Sequence, residues 1–195
     1  MKTIGIYCGS ADAIHPDYKL AGRTLGRLLA ESGLTLIYGG GKTGLMGAVA
    51  DGALEAGGQV IGVIVTSMNT PALAHNGLTR LEVTGDMHTR KARMYALAEG
   101  FIALPGGFGT FDELFETITW AQIGEHQKPI GLLNVRRYFD PLLAMVLHAE
   151  KEGFLYPEHR QMICLAETPQ ELLAAMRRHQ HPAEAVRRWM RQDQP

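Results

Sequence analysis

The chain has 195 residues, 46% of them hydrophobic and 20% charged, with a formal net charge of -1. That length suits one well-packed domain rather than two. The mixture of charge and apolar content argues against disorder, a membrane span or an electrostatic grip on nucleic acid, and leaves a small molecule as the expected partner.

In chain order, strand-like runs fall at Thr3 to Tyr7, Thr35 to Tyr38, Gln59 to Val65, Arg80 to Val83, Phe101 to Leu104 and Pro129 to Leu133, with helical periodicity between them. Such alternation predicts an α/β fold, a Rossmann-like doubly wound parallel sheet with helices on both faces. Tyr18, Ala21, Leu25, Leu28 and Leu29 recur at helical spacing, and Gly33 stands where a C-terminal capping glycine belongs. A second helix carries Met46, Val49, Ala50, Ala53 and Leu54 and ends at Gly57 and Gly58; a later one is expected to bury Phe111, Leu114, Phe115 and Ile118. Helical stretches from Pro141 to Glu152 and from Pro169 to about Arg178 flank a short apolar run at Met162 to Leu165. One domain is expected over residues 1–180, followed by a basic helical tail, 181–195, with Arg187, Arg188 and Arg191 around Trp189.

The first strand begins at once, without a charged leader and cleavage site, so a cytoplasmic protein is expected. Cys8 and Cys164 lie far apart with neither CxxC nor metal-ligand spacing, which predicts two reduced thiols and no metal; no cofactor is expected either.

Two glycine loops follow strands. The first, Gly39 to Gly47, reads as Gly39-x-Gly41-x-x-Gly44 but has no acidic residue between Val60 and Thr66 for a dinucleotide ribose, and Leu36 stands where a Walker A loop needs glycine. What remains is a backbone approach to a small anionic ligand or a tight strand-to-helix turn. The second, Pro105-Gly106-Gly107-Phe108-Gly109-Thr110, leads into a helix whose positive end and convergent amides suit a phosphate. Thr110 and Glu113 also have the spacing of a capping box. Glu116 follows Glu113 one turn later, which predicts two carboxylates on one face. Asp86 to Met94 begins the helix before Phe101 to Leu104; its start, with Arg90 and Lys91, is expected at the opposite sheet edge from Pro105 unless the preceding loop bends it over the crevice.

The strings Pro105-Gly106-Gly107-Phe108-Gly109-Thr110-Phe111-Asp112-Glu113 and Met87-His88-Thr89-Arg90-Lys91 resemble the PGGxGTxxE and MHxRK signatures of the Lonely Guy family, cytokinin riboside 5'-monophosphate phosphoribohydrolases. The similarity extends through Tyr7-Cys8-Gly9-Ser10, Gly39 to Gly47, Thr119 to Gln122 and Gly131 to Asn134. It implies a homodimer that hydrolyses N6-modified adenosine monophosphates, and often AMP, to free base and ribose 5-phosphate. By the same resemblance Arg90 and Glu113 are the catalytic pair, and Gly106, Gly107, Gly109 and Thr110 bind the phosphate. Lys91, Gly9, Ser10, Gly41 and Met87 are further substrate contacts, with Glu116 as a helper. Relatives have often carried the label lysine decarboxylase, yet no lysine here sits in a recognisable pyridoxal phosphate setting. One departure is Ala72, where many relatives have a glutamate that contacts the nucleotide, so base or ribose preference stays open. A general AMP nucleosidase and a non-catalytic nucleotide carrier are the alternatives.

Overall fold

Seven strands form one sheet in the order β4-β3-β2-β1-β5-β6-β7, every neighbouring pair parallel. In the chain they are β1 (Thr3–Tyr7), β2 (Thr35–Tyr38), β3 (Val60–Val65), β4 (Arg80–Thr84), β5 (Phe101–Ala103), β6 (Ile130–Leu133) and β7 (Ile163–Ala166). The helices are α1 (Pro16–Glu31), α2 (Gly44–Glu55), α3 (Met87–Leu97), α4 (Phe108–Gln122), α5 (Asp140–Lys151) and α6 (Pro169–Arg178). The computed structural model describes residues 1–182, so the expected tail helix around Trp189 lies outside the described residues.

The central strands are apolar at successive positions because helices cover both faces. On one face α1, α2 and α6 close over Ile4, Ile6, Leu36 and Tyr38, while α3, α4 and α5 close over Tyr7, Ile37, Phe101 and Leu132 on the other. Gly33 and Gly57 end α1 and α2 at φ of 69° and 74°, the left-handed turn that glycine adopts without a Cβ clash. The expected apolar face of α4 is only partly correct. Leu114 is fully buried, Phe111 and Ile118 are half-buried, and Phe115 is exposed, because a period of 3.6 marks residues sharing a side without saying what covers its margin.

After β6 the chain makes an unusual turn, with Arg136 at φ 52° and Arg137 at φ 59°. A left-handed L residue costs about 1–2 kcal/mol, and glycine gives back about 0.5–1 kcal/mol of that in unfolded-chain entropy. Arg137→Gly is therefore expected to stabilise the chain by about 0.5–1 kcal/mol, since the exposed Arg137 ion pair to Asp140 contributes little. Thermal denaturation tests it; an unchanged or lower midpoint refutes the strain.

Candidate active site

Strand order reverses between β1 and β5, and in open α/β sheets such a switch point opens a crevice at the carboxyl ends of the strands. Here the two loops that leave β1 and β5 touch, Gly9 N–H donating to the Pro105 carbonyl at 3.0 Å. Beside them lies a cavity of about 560 Å³. That volume is within the ~300–1,000 Å³ usual for small-molecule sites.

One wall comes from the start of α3. Asp86 caps this helix, its Oδ1 accepting from Thr89 N–H at 2.8 Å, and one turn later Arg90 points inward, 8% exposed. Its Nε donates to the Val63 carbonyl within β3 (2.8 Å), and Nη1 reaches Glu113 Oε1 at 2.9 Å and Met87 Sδ at 3.4 Å. The expectation that this helix starts at the opposite edge from Pro105 is wrong. A helix that follows one parallel strand and leads to the next starts at the carboxyl edge and runs back, so Met87, Arg90 and Lys91 share that edge with Pro105. Gly39 makes the room: a Cβ there would stand 2.1 Å from Arg90 Nη2 and 2.4 Å from Met46 Cε.

The facing wall is the start of α4. The expected capping box does not form, because α4 begins at Phe108 with Gly107 as its N-cap, which puts Thr110 inside the first turn, 4% exposed. Glu113 turns instead to Arg90, and their side chains are 12% and 9% exposed. Burial raises the Glu113 carboxyl above the usual carboxylate range, although Arg90 pulls the other way. The two carboxylates do follow one another along the helix, but Glu116 pairs with Lys91 at 2.7 Å, as does Asp112 at 3.0 Å. Partial burial works against the Lys91 ammonium, yet these two carboxylates hold its proton, and its pKa rises. Beneath them Tyr7 Oη lies 3.1 Å from Thr117 Oγ1, which itself donates to the Glu113 carbonyl.

Of the residues singled out from sequence, Arg90, Lys91, Glu113 and Met87 line the large crevice. So do Gly9, Ser10, Gly41, Gly107, Gly109 and Thr110. Gly106 does not; it lines a neighbouring cavity and is held so close to Thr110 that a Cβ would meet Oγ1 at 2.0 Å. Glu116 lines a smaller cavity behind Lys91, with Tyr7, Tyr95 and Trp120. The start of α4 has no side-chain cap, and the first amides of any helix lack intrahelical partners, so this end is free to meet an anion. The start of α2 differs. Gly9 O accepts from Leu45 and Met46 N–H, and Asp12 Oδ1 accepts from Gly44 N–H at 2.9 Å. The first glycine loop is thus mainly a turn closed by the protein itself, with Gly39 and Gly41 on the crevice wall.

A profile described as "Possible lysine decarboxylase" matches residues 46–176. The chain is 44% identical over 177 residues to the cytokinin riboside 5'-monophosphate phosphoribohydrolase of Rhodococcoides fascians, covering 90% of this chain and 89% of that one. It is also 44% identical to the cytokinin riboside 5'-monophosphate phosphoribohydrolase LOG of Oryza sativa subsp. japonica, covering 88% and 71%. The chain belongs to this phosphoribohydrolase family. Among solved structures it is similar to the molybdenum cofactor binding protein of Rippkaea orientalis, with a TM-score of 0.68 and 26% identity over 90% of this chain and 94% of that one. The molybdenum cofactor carrier protein of Chlamydomonas reinhardtii shares the fold at a TM-score of 0.67 and 23% identity, over 90% and 95%.

The decarboxylase wording of the family profile does not suit this crevice. A Schiff-base lysine needs an amine that sheds its proton readily, whereas the Lys91 proton is held by Asp112 and Glu116. Sequence reading of this phosphoribohydrolase family member missed the apolar wall, Met46, Met68, Leu73 and Phe108, which has no periodic signal because it is gathered from separate loops and helix starts. It also missed Gly39 as the space for Arg90, although the glycine itself stood in the loop. Ala72 is exposed beside Leu73, so where the resemblance departs, the neighbouring wall is apolar.

Proposed function

We propose that this chain hydrolyses the N-glycosidic bond of N6-substituted adenosine 5'-monophosphates, releasing the base and ribose 5-phosphate. The observation that carries the reading is the buried Arg90–Glu113 pair, facing the same crevice as the uncapped start of α4. The naming of the relatives in Rhodococcoides fascians and Oryza sativa supports it.

In this reading the phosphate docks on Gly107, Gly109 and Thr110, and Glu113 meets the ribose. Cleavage passes through an oxocarbenium-like state, so a carboxylate beside the sugar stabilises the charge that develops. Water adds hydroxide to C1′ while the C1′–N bond breaks and the bonding pair leaves with the base, which ends protonated. Arg90, anchored on Val63, holds the carboxylate in place. Lys91 flanks the crevice with its charge already met by Asp112 and Glu116, and Met46, Met68 and Leu73 suit an apolar N6 substituent. We place the enzyme in the cytoplasm, in keeping with two free cysteines, and as a homodimer, in keeping with the exposed Phe115 on α4. Among the described residues no helix is long and apolar enough to cross a membrane.

Purified protein incubated with AMP and with isopentenyladenosine monophosphate tests the reading by free-base release. Release from both, with higher kcat/KM for the substituted nucleotide, is expected. Equal values would make it a general AMP nucleosidase, and ligand recovered intact would make it a carrier.

Gly39→Ala probes the anchoring of Arg90 without removing either charge. The atoms a new Cβ would strike, Arg90 Nη2 and Met46 Cε, are ends of flexible side chains, so the fold yields while the guanidinium shifts. A shift near 1 Å at such a site can lower turnover by about 100-fold. A loss of at least about tenfold is expected, with a moderately lower melting temperature because the new Cβ crowds a buried, paired guanidinium; full activity would free Arg90 from any positional requirement.

A further inference from the structure

The loop between β5 and α4 places two carbonyls in series, and each has a partner. Pro105 O accepts from Gly9 N–H, and Gly106 O accepts from the Tyr138 hydroxyl. In a trans peptide the carbonyl and the following N–H share a plane and point in opposite directions. Holding the Gly106 carbonyl towards Tyr138 therefore turns the Gly107 amide away from it. Tyr138 lines a separate cavity of about 370 Å³, whereas Gly107 also borders the crevice that holds Arg90 and Glu113.

What delivers the hydroxyl is the strained turn after β6. Two consecutive arginines in the left-handed region persist only where their surroundings over-determine them. Buried Asn134 supplies that constraint: its Oδ1 accepts from Phe139 N–H at 2.8 Å and its Nδ2 donates to Asp140 Oδ1 at 2.8 Å. Arg136 reaches across to Asp17 at the start of α1 (2.9 Å), and Phe139 is fully buried. The Tyr138 ring stands edge-on to both Tyr18 and Phe139, with centroids 6.1 and 5.2 Å away.

From this geometry we infer that Tyr138 is a positioning residue for phosphate capture, its hydroxyl locking the Gly106–Gly107 peptide so that the Gly107 amide faces the phosphoryl group. The inference rests on the nucleotide-hydrolase reading above. Tyr138 acts through the loop, and its neighbouring cavity needs no occupant for this role.

The test is Tyr138→Phe in the full chain, which deletes one oxygen and keeps the ring packing. Steady-state kinetics with AMP are combined with calorimetric titration of ribose 5-phosphate and of free adenine. A single hydrogen bond of ordinary strength corresponds to about three- to tenfold in an equilibrium constant. KM for AMP and Kd for ribose 5-phosphate are expected to rise by that factor, with kcat changed by less than about twofold and adenine binding unchanged. General loosening of the site would lower kcat and the melting temperature together and weaken adenine as well, and that pattern overturns the positioning role. Unchanged KM and Kd overturn it too. A wild-type protein that neither releases base from AMP nor binds ribose 5-phosphate defeats the hydrolase reading instead, which keeps the two failures apart.

Discussion

Replacing Glu113 by Gln is expected to lower kcat for base release by at least about 100-fold while nucleotide still binds, because the substitution keeps size and hydrogen bonding but removes the charge. Glu113 lines the crevice on the same helix as the uncapped amides and beside Arg90, and in the proposed role it meets the developing sugar cation with a full negative charge. The change also leaves the Arg90 guanidinium buried without its counter-ion. Losing one partner of a buried pair costs about 3–5 kcal/mol in the worst case, and the amide oxygen offsets part of that by accepting from Arg90. Single-turnover assays with AMP, together with equilibrium binding of the same ligand, separate chemistry from capture. Turnover within about tenfold of wild type would make Glu113 structural and move the chemistry elsewhere.

Arg90→Ala is the second large effect, and its signature is a dependence on pH. In the wild type, burial already raises the Glu113 carboxyl while Arg90 opposes the rise. Removing the guanidinium raises it further. In the proposed role activity needs the carboxylate, so the acid limb of kcat/KM in the wild type is expected above the ~4.3 of a free glutamate, and higher still in any residual activity of the variant. Stability follows the linkage sign for a raised group: it is fully present below the unfolded pKa and is lost as pH climbs through the folded one. The variant should thus be destabilised by about 3–5 kcal/mol near neutral pH and regain part of that on acidification, as Glu113 takes up a proton. Denaturant titrations between about pH 5 and 8 check this. A deficit that is flat with pH would mean that the two groups are not coupled.

The sheet was readable because parallel strands covered on both faces become unbroken apolar runs, as at Leu36 to Tyr38 and Ile130 to Leu133. Helix ends were readable where glycine alone fits, at Gly33 and Gly57. The site was legible as two motifs, and the fold supplied their relation: Arg90 and Glu113 are 23 residues apart in sequence, and only the direction in which α3 runs brings them to one edge. Thr110 and Glu113 misled as a capping box because a buried guanidinium is a stronger partner for the carboxylate than a helix amide, and α4 starts earlier than that box requires. Tyr138 gave no signal at all. Its partner is 32 residues away, and a left-handed turn carried by two arginines lacks the glycine or asparagine that usually betrays one.

Arg90 of α3 is anchored on Val63 of β3 and Glu113 belongs to α4, whereas Met68 and Leu73 come from the connection that joins β3 to β4. On the proposed reading, bond breaking rests on α3 and α4, and base choice mostly on the β3–β4 connection, with Met46 of α2 beside it. Libraries confined to residues 66–79 are then expected to retune which purine is accepted while the Arg90–Glu113 pair stays in place.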